Sequence, residues 1–94
     1  MTKAAIPTLQ SETPEARVTH WFFPPGSATG HHWHEFDYVV VPLTDGTLTA
    51  VTPTGRIQNP LRAGQSYFRK AGVEHDIVNE TEHDFAFVEV EIKP

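Results

Sequence analysis

The residues best suited to chemistry are histidines, and they fall in two groups well separated along the chain. His31-His32-Trp33-His34 follows Pro25-Gly26, and a single His75 closes Gly72-Val73-Glu74-His75, ahead of Asn79. Imidazoles at i and i+2 of an extended strand point to the same side of a sheet, so His32 and His34 share a face. A third imidazole arriving from a later strand can close a site with them. Neutral imidazole is the commonest protein ligand for zinc, iron, copper and nickel, so the chemistry such a cluster serves is metal binding. The chain has no cysteine, so neither a thiolate site nor a disulfide framework exists, and a metal must be held by nitrogen and oxygen. The remaining histidines read differently. His20 lies in a β-branched and aromatic run and His83 in a charged turn, both as surface residues. His31 alternates with His32 and so faces the other way.

The elements that must position this cluster are strands. From residue 16 onward the chain is a series of short β-branched or alternating runs cut by turn residues: Arg17–Phe23 up to Pro24-Pro25-Gly26, Tyr38–Val41, Thr47–Thr52, Arg56–Leu61, Ser66–Arg69, His75–Asn79 and Phe85–Ile92. Thr44-Asp45-Gly46-Thr47 reads as a hairpin turn of the Asp-Gly type. No stretch supports a long amphipathic helix, and eight Pro and six Gly at short intervals argue for an all-β domain closed as a barrel or jelly roll. The 94 residues make one small domain with a limited core, which a metal or a second subunit would help to stabilise. Residues 1–15 carry Pro7 and Pro14 and show no period; they are expected to form an arm, flexible or docked on a partner subunit, ahead of a barrel spanning 16–94.

Charge and hydropathy narrow the partners. The net charge is -5, and seven Lys and Arg are scattered without a basic patch, so nucleic acid is not an expected partner. No apolar run reaches membrane length, so a membrane is not expected either. The first fourteen residues carry one Lys and none of the apolar core of a signal peptide, which makes the cytoplasm the expected location.

The offsets of the histidines from turn glycines resemble the cupin family. The first cupin motif runs Gly, five residues, His-x-His, three or four residues, Glu, six residues, Gly; here Gly26 is followed by five residues, His32-Trp33-His34 and later Gly46. The second runs Gly, five residues, Pro-x-Gly, two residues, His, three residues, Asn; here Gly64 is followed by five residues, Lys70-Ala71-Gly72, two residues, His75, three residues and Asn79. Lys70 replaces the motif proline. The resemblance covers residues 17 to 92 and implies a jelly-roll β-barrel, one divalent ion (iron, zinc, manganese or nickel) on His32, His34 and His75, and a homodimer in which the N-terminal arm is exchanged. Tyr38–Gly46 and Ala71–His75 also resemble a group of small single-domain cupins linked to β-alanine degradation.

One departure from the family pattern bears on the site. The slot of the family's Glu ligand falls on Val39 or Tyr38, neither of them a carboxylate. Asp37 is the nearby candidate, as an added ligand or as a group that orients the ligand rings, if a bulge or turn after His34 resets the register and brings it inward. Three alternatives stand: three histidines plus water, three histidines plus Asp37, and a metal-free pocket. His31 and Asn79 are further candidates for holding the rings through their second nitrogens. Tyr38, Tyr67, Arg69 and Phe87 are expected at the pocket wall, with Phe68 and Phe85 as core or lining. The resulting expectation is a metal-binding protein that acts on a small polar organic molecule by dioxygenase-like or Lewis-acid chemistry. The alternatives are a non-catalytic module that binds or senses a small ligand and a metal that only staples the barrel. No general base or nucleophile stands out beside the three histidines.

Overall fold

The computed structural model describes residues 3–94; Met1 and Thr2, the start of the expected arm, lie outside the described residues. The chain forms eleven strands: β1 (Lys3–Ala4), β2 (Ile6–Glu12), β3 (Ala16–Phe23), β4 (Ser27–Ala28), β5 (His32–Trp33), β6 (Asp37–Pro42), β7 (Gly46–Thr52), β8 (Gly55–Leu61), β9 (Tyr67–Arg69), β10 (Glu74–Val78) and β11 (Phe85–Ile92). One sheet has the order β1-β4-β10-β7-β8, with β5 also paired to β10, and the other has the order β2-β3-β11-β6-β9. From β3 onward the chain keeps crossing from one sheet to the other, which is the winding of a jelly roll. The domain is all-β, and no helix among the described residues is long and apolar enough to cross a membrane.

The alternation of β11 explains the inner face of the five-stranded sheet. Directly opposed residues on neighbouring strands share a face. Phe85 faces Phe23; Phe87 faces Trp21 and Pro42; Glu89 faces Thr19 and Val40; Glu91 faces Arg17 and Tyr38. β9 extends the last two rows, with Tyr67 beside Val40 and Arg69 beside Tyr38. The inner face therefore grades from aromatic at one end to charged at the other. Phe23 is fully buried, and its ring sits 5.3 Å from that of Phe87 in a tilted pair. Burying such rings contributes roughly 2 kcal/mol each, so this end anchors the barrel.

Three sequence expectations change. Asp45-Gly46 is not a hairpin turn, because β6 and β7 belong to different sheets and the segment is a crossover between them. Asp45 instead accepts a hydrogen bond from the Ala63 amide at 2.9 Å. A Cβ on Gly46 would stand 3.0 Å from the Phe85 ring, so glycine lets the crossover press against the core. The segment expected as an arm is, from Lys3 on, written into the chain's own sheets: β2 pairs antiparallel with β3, and β1 runs parallel to β4. Every β2 side chain is exposed, so backbone ladder bonds rather than apolar burial hold it, and no periodicity in its residues signals the strand. Phe68, between Tyr67 and Arg69, points away from the barrel interior and is exposed.

Candidate metal centre

His32, His34 and His75 meet on the wall of a cavity of about 580 Å³ between the two sheets. Register brings them there. His75 lies on β10 directly opposite His32 on β5, so the two side chains share the inner face. His34 continues the extended segment: its amide donates to the Val73 carbonyl at 2.9 Å, and its carbonyl accepts from the Gly72 amide at 2.8 Å. Gly72 makes that turn at φ +98°, a conformation L side chains rarely adopt. His31, in the opposite phase, points outward and its Nε2 pairs with Glu74 at 2.8 Å, while Trp33 is exposed at the edge of the cavity.

The three rings present the same atom to one another. Nε2 of His34 lies 3.1 Å from Nε2 of His32 and 3.0 Å from Nε2 of His75, and the ligand atoms of all three fall within 4.8 Å. The Gly30 carbonyl lies 2.8 Å from His32 Nδ1 and can only accept, so the proton of the neutral ring sits on Nδ1 and Nε2 is bare. Gly30 holds that position at φ +86°, with its amide donating to Asp76 Oδ1 at 3.0 Å. The Thr29 hydroxyl stands 3.3 Å from the same Nδ1 and accepts from the Ile77 amide. His34 is clamped differently, its ring stacked on Tyr38 at 3.9 Å between centroids.

Burial sets the protonation of this wall. It pulls His34 down to about 4, with His32 adding to the effect. It pulls His75 down to about 3, with repulsion from His32, His34 and His31 adding to it. Both rings are thus neutral at physiological pH, the form that ligates metals. Three neutral imidazoles aimed at one point cannot all be satisfied by N–H···N bonds among themselves, since a proton shared by one pair leaves the third lone pair facing another. A divalent cation answers all three, so the donor set fits a metal.

The other expected site residues separate. Tyr38, Tyr67, Arg69 and Phe87 line the cavity. Of the two positions at the family's Glu slot, Tyr38 is the one turned inward against His34, while Val39 faces outward. Asp37 is not brought to the histidines: it opens β6 in the outward phase, and Oδ1 accepts from the Ala71 amide at 2.7 Å. The chain bends at Glu35-Phe36 as it crosses to the other sheet without turning Asp37 to the histidines, and Asp37 braces the turn that holds His34. Asn79 is also elsewhere, fully buried, with its amide donating to the carbonyls of Phe23 and His83. The ring nitrogen of His32 is served by Thr29 and Gly30, which the sequence reading did not single out.

It also missed Glu89. This residue is 9% exposed, on β11 across the cavity from the histidine strands. Burial, with Glu91 adding repulsion, pushes its carboxyl up to about 7. Burial, reinforced by Glu89 and Tyr67, also pushes the Tyr38 phenol well above its ordinary range. Glu91 has a partner in Arg17 at 3.6 Å, and the Arg69 guanidinium lies over the Tyr67 ring at 4.4 Å. The signal for Glu89 was present: in Phe85-Ala86-Phe87-Val88-Glu89 it shares the phase of two core phenylalanines.

Comparison with known proteins agrees with this geometry. Residues 19–91 match the family model described as a cupin domain. The chain is 58% identical over 89 residues to the β-alanine degradation protein BauB of Pseudomonas aeruginosa, covering 95% of this chain and 94% of that protein. It superposes on the crystal structure of a cupin domain from Bordetella pertussis with a TM-score of 0.98 at 48% identity, covering 100% of this chain and 98% of that one. An RmlC-like cupin with a double-stranded β-helix fold from Methanocaldococcus jannaschii gives a TM-score of 0.79 at 15% identity, covering 98% and 83%, and so shares the fold. Winding, histidine placement and family match converge on one assignment: the chain belongs to the cupin family.

Proposed function

We propose that the chain is a metal-dependent cupin that takes a small polar organic molecule into the barrel and transforms it. The observation that carries this reading is the convergence of three Nε2 atoms on the wall of a cavity of about 580 Å³, a size suited to a small metabolite. His32, His34 and His75 would hold one divalent ion: iron, zinc, manganese or nickel. When bound, such an ion supplies Lewis acidity or, in the case of iron, a centre for dioxygen. The rest is done by the chain's own residues. Gly30 and Asp76 fix the His32 ring, and Tyr38 backs His34. Leu48, Ile77 and Phe87 keep part of the wall dry. Glu89, pushed up to about 7, can hold or release a proton inside the cavity near neutral pH, as a general acid or base must.

The name of the Pseudomonas relative ties that protein to β-alanine degradation, and 58% identity over nearly the whole length supports carrying the same context to this chain. A short molecule with polar groups at both ends suits a cavity with imidazoles on one wall and a carboxyl on the other. The test is turnover. Protein reconstituted with iron or with zinc is given β-alanine and short oxo-, hydroxy- and amino-acids, with oxygen uptake and product followed. Consumption by the wild type and none by His75→Ala is expected. A fully loaded protein that consumes none of them would leave a ligand-binding module in place of an enzyme.

A further inference from the structure

We infer that Glu89 is the second pole of the ligand site, receiving the ammonium group of a small amino acid whose carboxylate lies toward the three histidines. The inference rests on the metal-site reading above and names the class of molecule that site would take. The carboxyl of Glu89 makes no hydrogen bond or ion pair with any described residue, although the residue is only 9% exposed and lines the cavity. Its oxygens are not among the sealed, partnerless atoms of the interior, so they open onto the cavity itself. The neighbouring charges are spoken for. Arg17 holds Glu12 and Glu91, and Arg69 lies over Tyr67 while donating to the Phe68 carbonyl. A buried carboxylate without a partner is costly, and a cationic hydrogen-bond donor is the partner that offsets the cost.

The spacing suits one small molecule. The Tyr38 ring stacks on His34, and Tyr38 is a diagonal neighbour of Glu89 across β6 and β11, a relation that spans about 7–8 Å on a sheet face. One aromatic side chain thus borders both poles. The carboxyl is pushed up to about 7 by burial, so it ionises near neutral pH, and the positive charge of an arriving ammonium favours the carboxylate as the proton leaves to solvent. Other groups facing it are Tyr38, Tyr67 and Arg69 from β6 and β9, Arg17 from β3, Glu91 on its own strand and, across the cavity, the three histidines. Burial pushes the Tyr38 and Tyr67 phenols up and pulls His34 and His75 down, away from the pH 6 to 8 range, and comparison with Glu89→Gln separates the carboxyl's part of any pH effect from that of the other groups.

The experiment is calorimetric titration of zinc-reconstituted protein with β-alanine and with propionate, which lacks only the amine, while zinc content is measured on the same samples. Expected is at least 10-fold tighter binding of β-alanine at pH 8, shrinking by pH 6. Glu89→Gln, close in shape, is expected to cut the preference below 2-fold and leave propionate unchanged. Equal affinities in the wild type, or a preference kept by Glu89→Gln, would overturn the assignment. If zinc binds one to one and the preference is absent, Glu89 is not the pole and the metal reading survives. A preference in protein that takes up no zinc would support Glu89 and sink the metal reading instead.

Discussion

Across one cavity, the histidine wall and the Glu89 wall respond to the same force in opposite directions. Burial penalises whichever form is charged, so it pulls His34 and His75 down to about 4 and about 3 and pushes Glu89 up to about 7. Near pH 6 both walls are uncharged at these groups. Above pH 7 the carboxyl ionises while His34 and His75 stay neutral, and the cavity acquires an anionic pole opposite its imidazoles. The walls also differ in how they are held. The imidazoles are positioned by Gly30, Tyr38 and one another, whereas the Glu89 carboxyl has no fixed partner among the described residues. An ordered donor set facing an unpartnered acceptor is the layout of a binding site, not of a packed core.

The strongest way to break this contrast is to remove one imidazole. His34→Ala should abolish stoichiometric metal binding, read by elemental analysis, with the fold intact by circular dichroism. Next comes the pH dependence of stability in metal-free protein, measured by urea unfolding. Glu89, raised from 4.5 to about 7, contributes stability that is present below pH 4.5 and lost as pH rises through 7. His34 and His75, lowered from 6.5, contribute stability that is present above pH 6.5 and lost as pH falls through about 4 and about 3. These groups together place the maximum at about pH 6.5. Glu89→Gln should remove the alkaline decline, a gain of about 2–3 kcal/mol at pH 8.5, with little change at pH 5. A decline kept in that variant would assign it to other groups.

Smaller effects sharpen the description of the histidine wall. Asp76→Ala, which frees the Gly30 amide, should weaken metal affinity about 10-fold in a competition titration, because the carbonyl that orients His32 is no longer pinned. Asp37→Ala should cost about 1 kcal/mol of stability through the lost bond to Ala71 while metal stoichiometry stays whole. Loss of the metal in that variant would restore Asp37 as a ligand. His83→Ala should change neither quantity.

Much of this was legible in the sequence because alternation and glycine spacing report backbone geometry directly. The phase of His32 and His34 against His31, the offset of His75 from Gly72 and the core phase of Phe85 and Phe87 all carry over into the structure. What was not legible depends on register between distant strands. Asp37 could be read as inward or outward until β6 was seen to start on it in the outward phase. The phase of Glu89 with Phe85 and Phe87 marks it as inward, but only the pairing of its row with Val40 and Thr19 sets it in the cavity and not in the packed end. The N-terminal strands were hidden for another reason: β2 is held by backbone bonds at a sheet edge, and its exposed side chains carry no hydrophobic pattern.

The most direct test of the metal centre is elemental analysis of tag-free protein purified without chelators or nickel resin, wild type beside His75→Ala. Near one equivalent of a single divalent metal in the wild type and a small fraction of that in the variant is the expected result. Full occupancy in His75→Ala, or a wild type that holds no metal and takes none up when iron, zinc, manganese and nickel are supplied, would contradict it.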